Sequence, residues 1–530
     1  MALKLYPIAN FGTEGVNTDG PWSVEPSYLS DGANFRILNG MIKTNNGLAN
    51  WVKRPEFNNT GEILSVGELS EGMYLFCTTH GLFSFDGVTF SKLNDISVID
   101  PVRWTSCMNG GIPVVNHPEA GAFYWDPVGH GVMLKPLPYN STKNWDPQLG
   151  KFGNILRSHK NYMFMLDITE VIGGVTQRIP DGYHWSHPSD INSIPPSWDE
   201  TDRAFLAGIA QIGGNSGRII DGLSMRDSFV IYSEHAINLL TESNDIYVWN
   251  RTPVINTTGP ISDACVVEVM GNHFILCPDD IIVFDGNSVQ SIAQGRIRDH
   301  FKAFINSKTW TTSYAFKNLA MKEVWFCVPG RDDDYPTLAY IYNWVEKSWS
   351  FRDLPPNLTY AVYGPRNNDG RGGVTLWETL AKQDPIPTWE TYDAPWGTDT
   401  YNPFDETIVG VQLDGTILDL DSAYISDIPL PKTMIMRENF PMETLAEFTT
   451  IVAAYPKIEG VGDIQITLGS QDYPNAPIRW KTPVTFKPGK QRKIDVRTTG
   501  ALHAFKVESV GAGQFTMSGI DFEYAPAGRR

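Results

Sequence analysis

A short unit is spelled twice in this chain, and that repetition constrains the fold more than any other feature. LFCTTHGLFSFDGVTF (Leu75 to Phe90) and ILCPDDIIVFDGNSV (Ile275 to Val289) share one order: apolar run, cysteine, polar break, second apolar run, Phe-Asp-Gly. Apolar runs this short, bounded by polar breaks, read as strands, and Asp-Gly supplies the positive φ angles that a two-residue hairpin turn demands. Asp86-Gly87, Asp285-Gly286 and Asp414-Gly415 (in VQLDGTILDLD) are therefore expected at hairpin tips, with a structural role. A second unit recurs as FYWDPVGHGVMLKPLP (Phe123 to Pro138) and IYNWVEKSWSFRDLP (Ile341 to Pro355). Each runs from an aromatic strand through a polar turn into a strand stopped by Leu-Pro, because proline has no N–H for a continuing ladder.

Recurring hairpins in a chain of 530 residues with 47 Gly and 36 Pro predict an all-β protein. Short repeated sheets point to a β-propeller, and residues 56–430 hold six to eight blades of the usual size. Intervals of 199 residues (285 minus 86) and 129 (414 minus 285) fit four and three blades. Residues 1–55 are expected to join the ring. Composition shifts near residue 430, and alternating runs such as DIQITLGS and AFKVESV predict a small antiparallel β-sandwich over 431–530. The best helix candidate is GRIRDHFKAFI (Gly295 to Ile305), with Ile297, Phe301, Phe304 and Ile305 near one face.

Charge limits the partners. With 42 basic and 60 acidic residues the formal net charge is −18, which repels nucleic acid rather than gripping its phosphates. Five cysteines, several in apolar runs, read as buried reduced thiols and point to assembly in a reducing cytosol. Neither an export signal nor a membrane span is expected.

The search for chemistry yields candidates without a set. His184 and His187 in YHWSH have metal-like spacing, yet residues three apart on a strand face opposite sides and no acidic partner is close in sequence. Asp332-Asp333-Asp334 lacks the spaced ligands of a calcium loop. Asp199-Glu200, Asp279-Asp280 and Asp405-Glu406 are carboxylate pairs of the kind glycoside hydrolysis needs, but the repeats of sialidase-like propellers are absent. With no nucleophile elbow, phosphate loop or paired C-x-x-C, no catalytic, metal or cofactor-binding residue is expected, and the chain reads as non-enzymatic. Basic groups at Lys487 to Lys493 and Arg529-Arg530 are candidates for an acidic partner.

Taken in order, DGANFRILNGMIKTNNGL (Asp31 to Leu48), HWSHPSDINSIPPSWD (His184 to Asp199), IIDGLSMRDSFVIYSEHAINLLT (Ile219 to Thr241), GNHFILCPDDIIVFDGNSVQSIAQGRIRDHF (Gly271 to Phe301), EVWFCVPG through YNWVEKSWSFRDLP, DIQITLGSQDYPNAPIRW and SGIDFEYAPAGRR resemble the propeller-type tail hub, or nozzle, proteins of short-tailed bacteriophages, the group that includes tail tubular protein B and packaged-DNA stabilisation protein. The resemblance covers most of the chain and carries over no single functional residue. It implies a homohexameric ring below the portal and adaptor, in contact with other tail proteins such as fibres or a needle, assembled in the bacterial cytoplasm and resident in the virion. The ring would surround the path along which DNA leaves without adhering. YGPRNNDGRGG (Tyr363 to Gly373) is the candidate gate, weighed against an ordinary exposed blade connection. The alternatives are a glycan-binding or glycan-cleaving propeller of the virion and a regulatory interaction platform.

Overall fold

The computed structural model describes residues 3–8, 11–21, 25, 27–52, 63–70, 73–85, 90–125, 133–243, 248–365, 406–422, 431–511 and 513–529. Among the described residues of 63–422 the chain folds into seven successive antiparallel meanders, six of four strands and the last of three. Their first strands are Ile63–Ser70, Thr105–Asn109, Phe152–His159, Ile219–Met225, Val266–Val269, Tyr314–Asn318 and Leu358–Pro365. First strands of neighbouring meanders touch, and the seventh returns to the first. Gly47–Val52, from far upstream, supplies the fourth strand of the last meander by pairing with Ile417–Ser422. The result is an all-β, propeller-like ring.

Packing between meanders explains why the ring holds. Apolar side chains from each neighbouring pair share a core, for example Leu75 and Leu82 with Val115 between first and second, and Phe164 with Phe229 between third and fourth. The circle closes where Tyr74 and Phe76 of the first meander meet Val409 and Val411 of the seventh. A sheet buried on both faces needs apolar residues on consecutive positions, which is why strands such as Glu323–Pro329 are buried throughout.

The repeated units occupy equivalent places. Leu75–Phe90 spans strands two to four of the first meander, and Ile275–Val289 the same strands of the fifth. Phe123–Pro138 and Ile341–Pro355 reach into strands three and four of the second and sixth. Both spacings are thus four meanders. The interval from Asp285 to Asp414 covers only two, because the seventh meander carries residues 366–405 between its first two strands.

Turn chemistry departs from expectation. Asp285 and Gly286 begin a four-residue link, in which Asp285 Oδ1 accepts the amides of Asn287 (2.8 Å) and Ser288 (2.7 Å) and Gly286 has φ 103°. Asp414 and Gly415 lie in another such link, with Asp414 Oδ1 accepting Thr416 N–H at 2.9 Å. The aspartate hydrogen-bonds its own loop, so one positive φ at glycine suffices instead of two. Two-residue turns with two positive φ angles fall elsewhere, for example at Gly110-Gly111 (56° and 91°) and Gly173-Gly174 (61° and 83°). Asp86-Gly87 lies outside the described residues.

Two further six-stranded sheets draw on both ends of the chain. Gln514–Arg529 pairs with Lys4–Ile8, Met41–Thr44 and Glu447–Val461, and Met434–Phe440 pairs with Asp31–Ala33 and Leu502–Ser509. Pairings therefore cross the divisions expected at residues 55 and 430. Phe505 packs against Phe440 and Phe522 with ring centroids 5.5 Å apart, joining the two sheets, and the same core runs on into the fifth and sixth meanders. The helix is shorter than expected, Arg298–Phe304, and seats Phe301 and the preceding Ile297 in that core.

A buried ionic cluster ties the N-terminal strand Phe35–Leu38 to the ring. Arg36 Nη2 donates to Asp421 Oδ1 and Oδ2 at 3.0 and 2.9 Å, while its Nε lies 3.4 Å from Glu323 Oε1. Arg352 Nη1 approaches Asp421 at 3.4 Å, and Arg352 Nη2 donates to the carbonyls of Asn46 and Leu420. Burial pushes the Glu323 carboxyl upward, against the pull of Arg36. None of the five cysteines is in a disulfide, and burial raises the thiols of Cys107, Cys265 and Cys277 to about 12. No helix among the described residues is long and apolar enough to cross a membrane.

Candidate functional site

Links and strand ends from six of the seven meanders surround a cavity of about 610 Å³ at one end of the ring axis. Its charged lining is Asp100, Arg103, Asp167, Arg178, Arg218 and Asp263. Arg103 comes from the link entering the second meander, and its Nη2 donates to the carbonyls of Thr311 (2.7 Å) and Ser313 (2.8 Å). Its Nη1 is buried with no hydrogen-bond partner among the described residues. Arg178 Nε donates to Asp167 Oδ1 at 2.9 Å across one hairpin, and Arg218, half exposed, lies 3.3 Å from Glu234.

Deeper along the axis, a cavity of about 200 Å³ shares Arg103 and Asp263 and adds Arg157, Asp221 and Tyr360. Arg157 Nε meets Asp221 Oδ1 at 2.8 Å, and Arg157 Nη2 donates to the Asp263 carbonyl at 2.8 Å. Burial raises the Asp221 carboxyl to about 7; Arg157 opposes the rise and the Asp263 charge adds to it. These inner positions point side chains from different meanders at one another because every first strand faces the axis. The outer cavity has the volume of a small-ligand site. It is far too small for a duplex whose major groove alone is about 12 Å wide.

A second polar group lies in the third meander. Ligand atoms of Glu170, His184 and Glu200 all fall within 4.8 Å of one another. His184, fully buried on Val175–Trp185, places Nε2 3.2 Å from Glu200 Oε2, which also accepts the Tyr139 hydroxyl. Trp145 and Trp198 pack on the imidazole. Burial alone would raise the Glu200 carboxyl, yet hydrogen bonds from His184 and Tyr139, helped by the Lys151 charge, hold it down at about 2. Lys151 Nζ lies 3.0 Å from Glu170 Oε1 and 3.8 Å from the Tyr139 ring centroid. A lysine ammonium thus stands where a metal trio would need its cation, and the group reads as an internally matched structural network.

The residues singled out from sequence scatter. His187 faces away from His184, accepting Leu206 N–H at 2.9 Å and packing on Phe205. Asp199 turns outward to Thr201 and Asn140 while its neighbour Glu200 turns inward. Asp280 accepts Ser291 Oγ at 2.8 Å, and Asp333 accepts Thr337 Oγ1 at 2.8 Å, so both brace their own loops. Lys487 and Lys493 pair with Asp463 and Asp495. Asp405 and residues 366–373 of the candidate gate lie outside the described residues. Sequence reasoning missed the axial cavity altogether; its charged residues are scattered single letters, Asp100 and Arg103 in one link, Asp167 and Arg178 on the two strands of a hairpin, and Arg218 and Asp263 in two further links.

No family model and no curated protein matches the chain. Solved structures with some likeness include the extracellular domain assigned to a one-component system of B. thetaiotaomicron, at 8% identity and TM-score 0.42, covering 89% of this chain and 59% of that one. The computationally designed Ika8 protein aligns at 8% identity and TM-score 0.36, over 74% of this chain and 96% of its own. PorZ, a surface component of the type-IX secretion system of Porphyromonas gingivalis, aligns at 8% and 0.36, over 83% and 46%. The chain spans less than two thirds of the first of these, and likenesses this faint carry no argument about family or function.

Proposed function

We propose that this chain is a structural ring protein, the nozzle or hub at the end of a short phage tail, and that its copies together frame the exit path of the genome. The observation that carries this reading is a body closed twice over. Among the described residues, successive meanders close a propeller-like ring whose last sheet is completed by Gly47–Val52, and two six-stranded sheets drawn from both chain ends share a core with two of those meanders. Closure protects strand edges and makes a stiff wedge, the property a pressure-bearing ring needs. The ring axis offers only small cavities, of about 200 Å³ lined by Arg103, Arg157, Asp221 and Tyr360 and of about 610 Å³ beside it, so a DNA path would run between subunits rather than through one. Six copies at −18 sum to about −108, a field that discourages phosphate adhesion. Val171, Ile172 and Val175 expose an apolar hairpin tip suited to a neighbouring subunit. In this reading the chain is non-enzymatic, resides in the virion, and meets the adaptor, the portal and fibres or a needle.

Negative-stain imaging of the purified chain, alone and mixed with the tail adaptor, tests the proposal. Rings of about six copies are expected in at least one sample, and a monomer under both conditions overturns it. A second reading, a glycan-binding propeller, is favoured by one observation, the axial cavity of about 610 Å³ with its six charged residues.

A further inference from the structure

We infer that the axial cavity is a binding site for an acidic sugar, a pyranose carrying one carboxylate, with Arg103 and Arg218 as its anion-binding side and Asp100 and Asp263 as acceptors for its hydroxyls. This rests on the second reading above and not on the ring.

Four observations lead there. The volume, about 610 Å³, suits a mono- or disaccharide. Three guanidinium groups face three carboxylates on the wall, so the local charge balances although the whole chain carries −18. One negative group can enter this mouth without repulsion, whereas a polyphosphate would meet Asp100, Asp167 and Asp263. Arg103 lines both cavities, its Nη2 fixed by the carbonyls of Thr311 and Ser313 and 3.7 Å from Asp263, and its Nη1 is buried beside them with no hydrogen-bond partner among the described residues. A planar guanidinium held in this way matches a carboxylate in geometry as well as charge. Finally, Tyr335, Pro101 and Pro118 place flat apolar surface beside the charges, the combination on which the C–H face of a sugar ring packs.

The cavity differs from the His184 network, whose carboxylates are matched by Lys151 and Tyr139. In the axial site Arg218 is 45% exposed and can turn from Glu234 toward a ligand at little cost.

Titration calorimetry of the full chain with glucuronate, N-acetylneuraminate, glucose and inorganic phosphate tests the assignment. The expected result is saturable binding of at least one acidic sugar, at least tenfold tighter than glucose or phosphate, and weakened at least tenfold in Arg103→Gln. Arg103 braces two carbonyls, so Arg218→Gln, at an exposed position, is the second variant; it is expected to weaken the same sugar at least threefold with an unchanged thermal midpoint. Equal binding of glucose and glucuronate overturns the acidic-sugar assignment and leaves a glycan-binding propeller standing. Equal binding of phosphate reduces the site to a plain anion site and overturns it too. Sugar binding unaffected by both variants places the site elsewhere, and the absence of any saturable sugar binding sinks this inference together with the second reading.

Discussion

Replacing Asp421 by alanine gives the sharpest test of how the N-terminal strand is fastened to the ring. Asp421 is the shared acceptor for two guanidinium groups, Arg36 and Arg352, whose side chains are 2% and 1% exposed. Its removal leaves two buried cations facing a single carboxylate, Glu323, and breaking such a buried network costs about 3–5 kcal/mol. With a urea m-value of about 3 kcal/mol/M, the unfolding midpoint followed by tryptophan fluorescence should fall by roughly 1–1.7 M. Trp325, whose ring lies 5.2 Å from the Arg352 guanidinium, reports on the site directly. The double variant Arg36→Met/Asp421→Leu leaves one charge of each sign and is expected to recover more than half of the loss, since the cost arises from imbalance rather than from missing attraction. A midpoint shift below about 0.3 M for the single variant, or no recovery in the double, would refute this account.

Other consequences are equally direct. His273 and His503 are held neutral by burial, with values lowered to about 4. Unfolding lets each take up a proton near its ordinary value of 6.5, so stability should decline as pH falls from about 6.5 to 4, by at most about 3 kcal/mol per histidine; His503→Gln should flatten that limb in urea titrations. Glu200 acts in the same direction over a lower window: its lowered carboxyl stabilises the fold above about 4.5, and the contribution drains away as pH falls toward 2, so Glu200→Gln should show no further loss over that range. Leu48→Ala, in the closing strand, should cost about 2–4 kcal/mol and raise hydrogen exchange preferentially in the seventh meander. Gly15→Ala should be strongly destabilising, because φ is +79° and a Cβ would stand 2.1 Å from the carbonyl oxygen of Trp349; a midpoint unchanged within about 0.3 M would contradict the geometry.

The strand grammar was legible because it is local. Alternation, Asp-Gly and Leu-Pro each act within a few residues, so the twin units could be recognised as repeats, and they fall on equivalent strands of two meanders. Counting meanders by interval failed between Asp285 and Asp414, since an insertion changes spacing without changing architecture. The pairing of Lys4–Ile8 with Gln514–Arg529 was illegible for a different reason: short edge strands carry no label for a partner some five hundred residues away. At the His184 site the sequence offered the wrong companion. His187 sits three residues along and faces away, while Glu200, noted only as half of an acidic dipeptide, folds back sixteen residues to meet the imidazole. Only the fold brings Arg103, Arg218 and Asp263 to one cavity, because each terminates a different link.

The closing strand sets a timetable for synthesis. Val52 pairs with Ile417, so 365 residues (417 minus 52) separate the two halves of the latch. At about 5–20 residues per second a ribosome needs roughly 20–70 s to deliver the second half after the first. Throughout that interval the emerging first blade lacks the neighbour that covers Tyr74 and Phe76, and Leu48 has no pocket. A chain built in this way depends on slow, late closure, and its yield is governed by how well the nascent apolar edge is shielded while translation runs on.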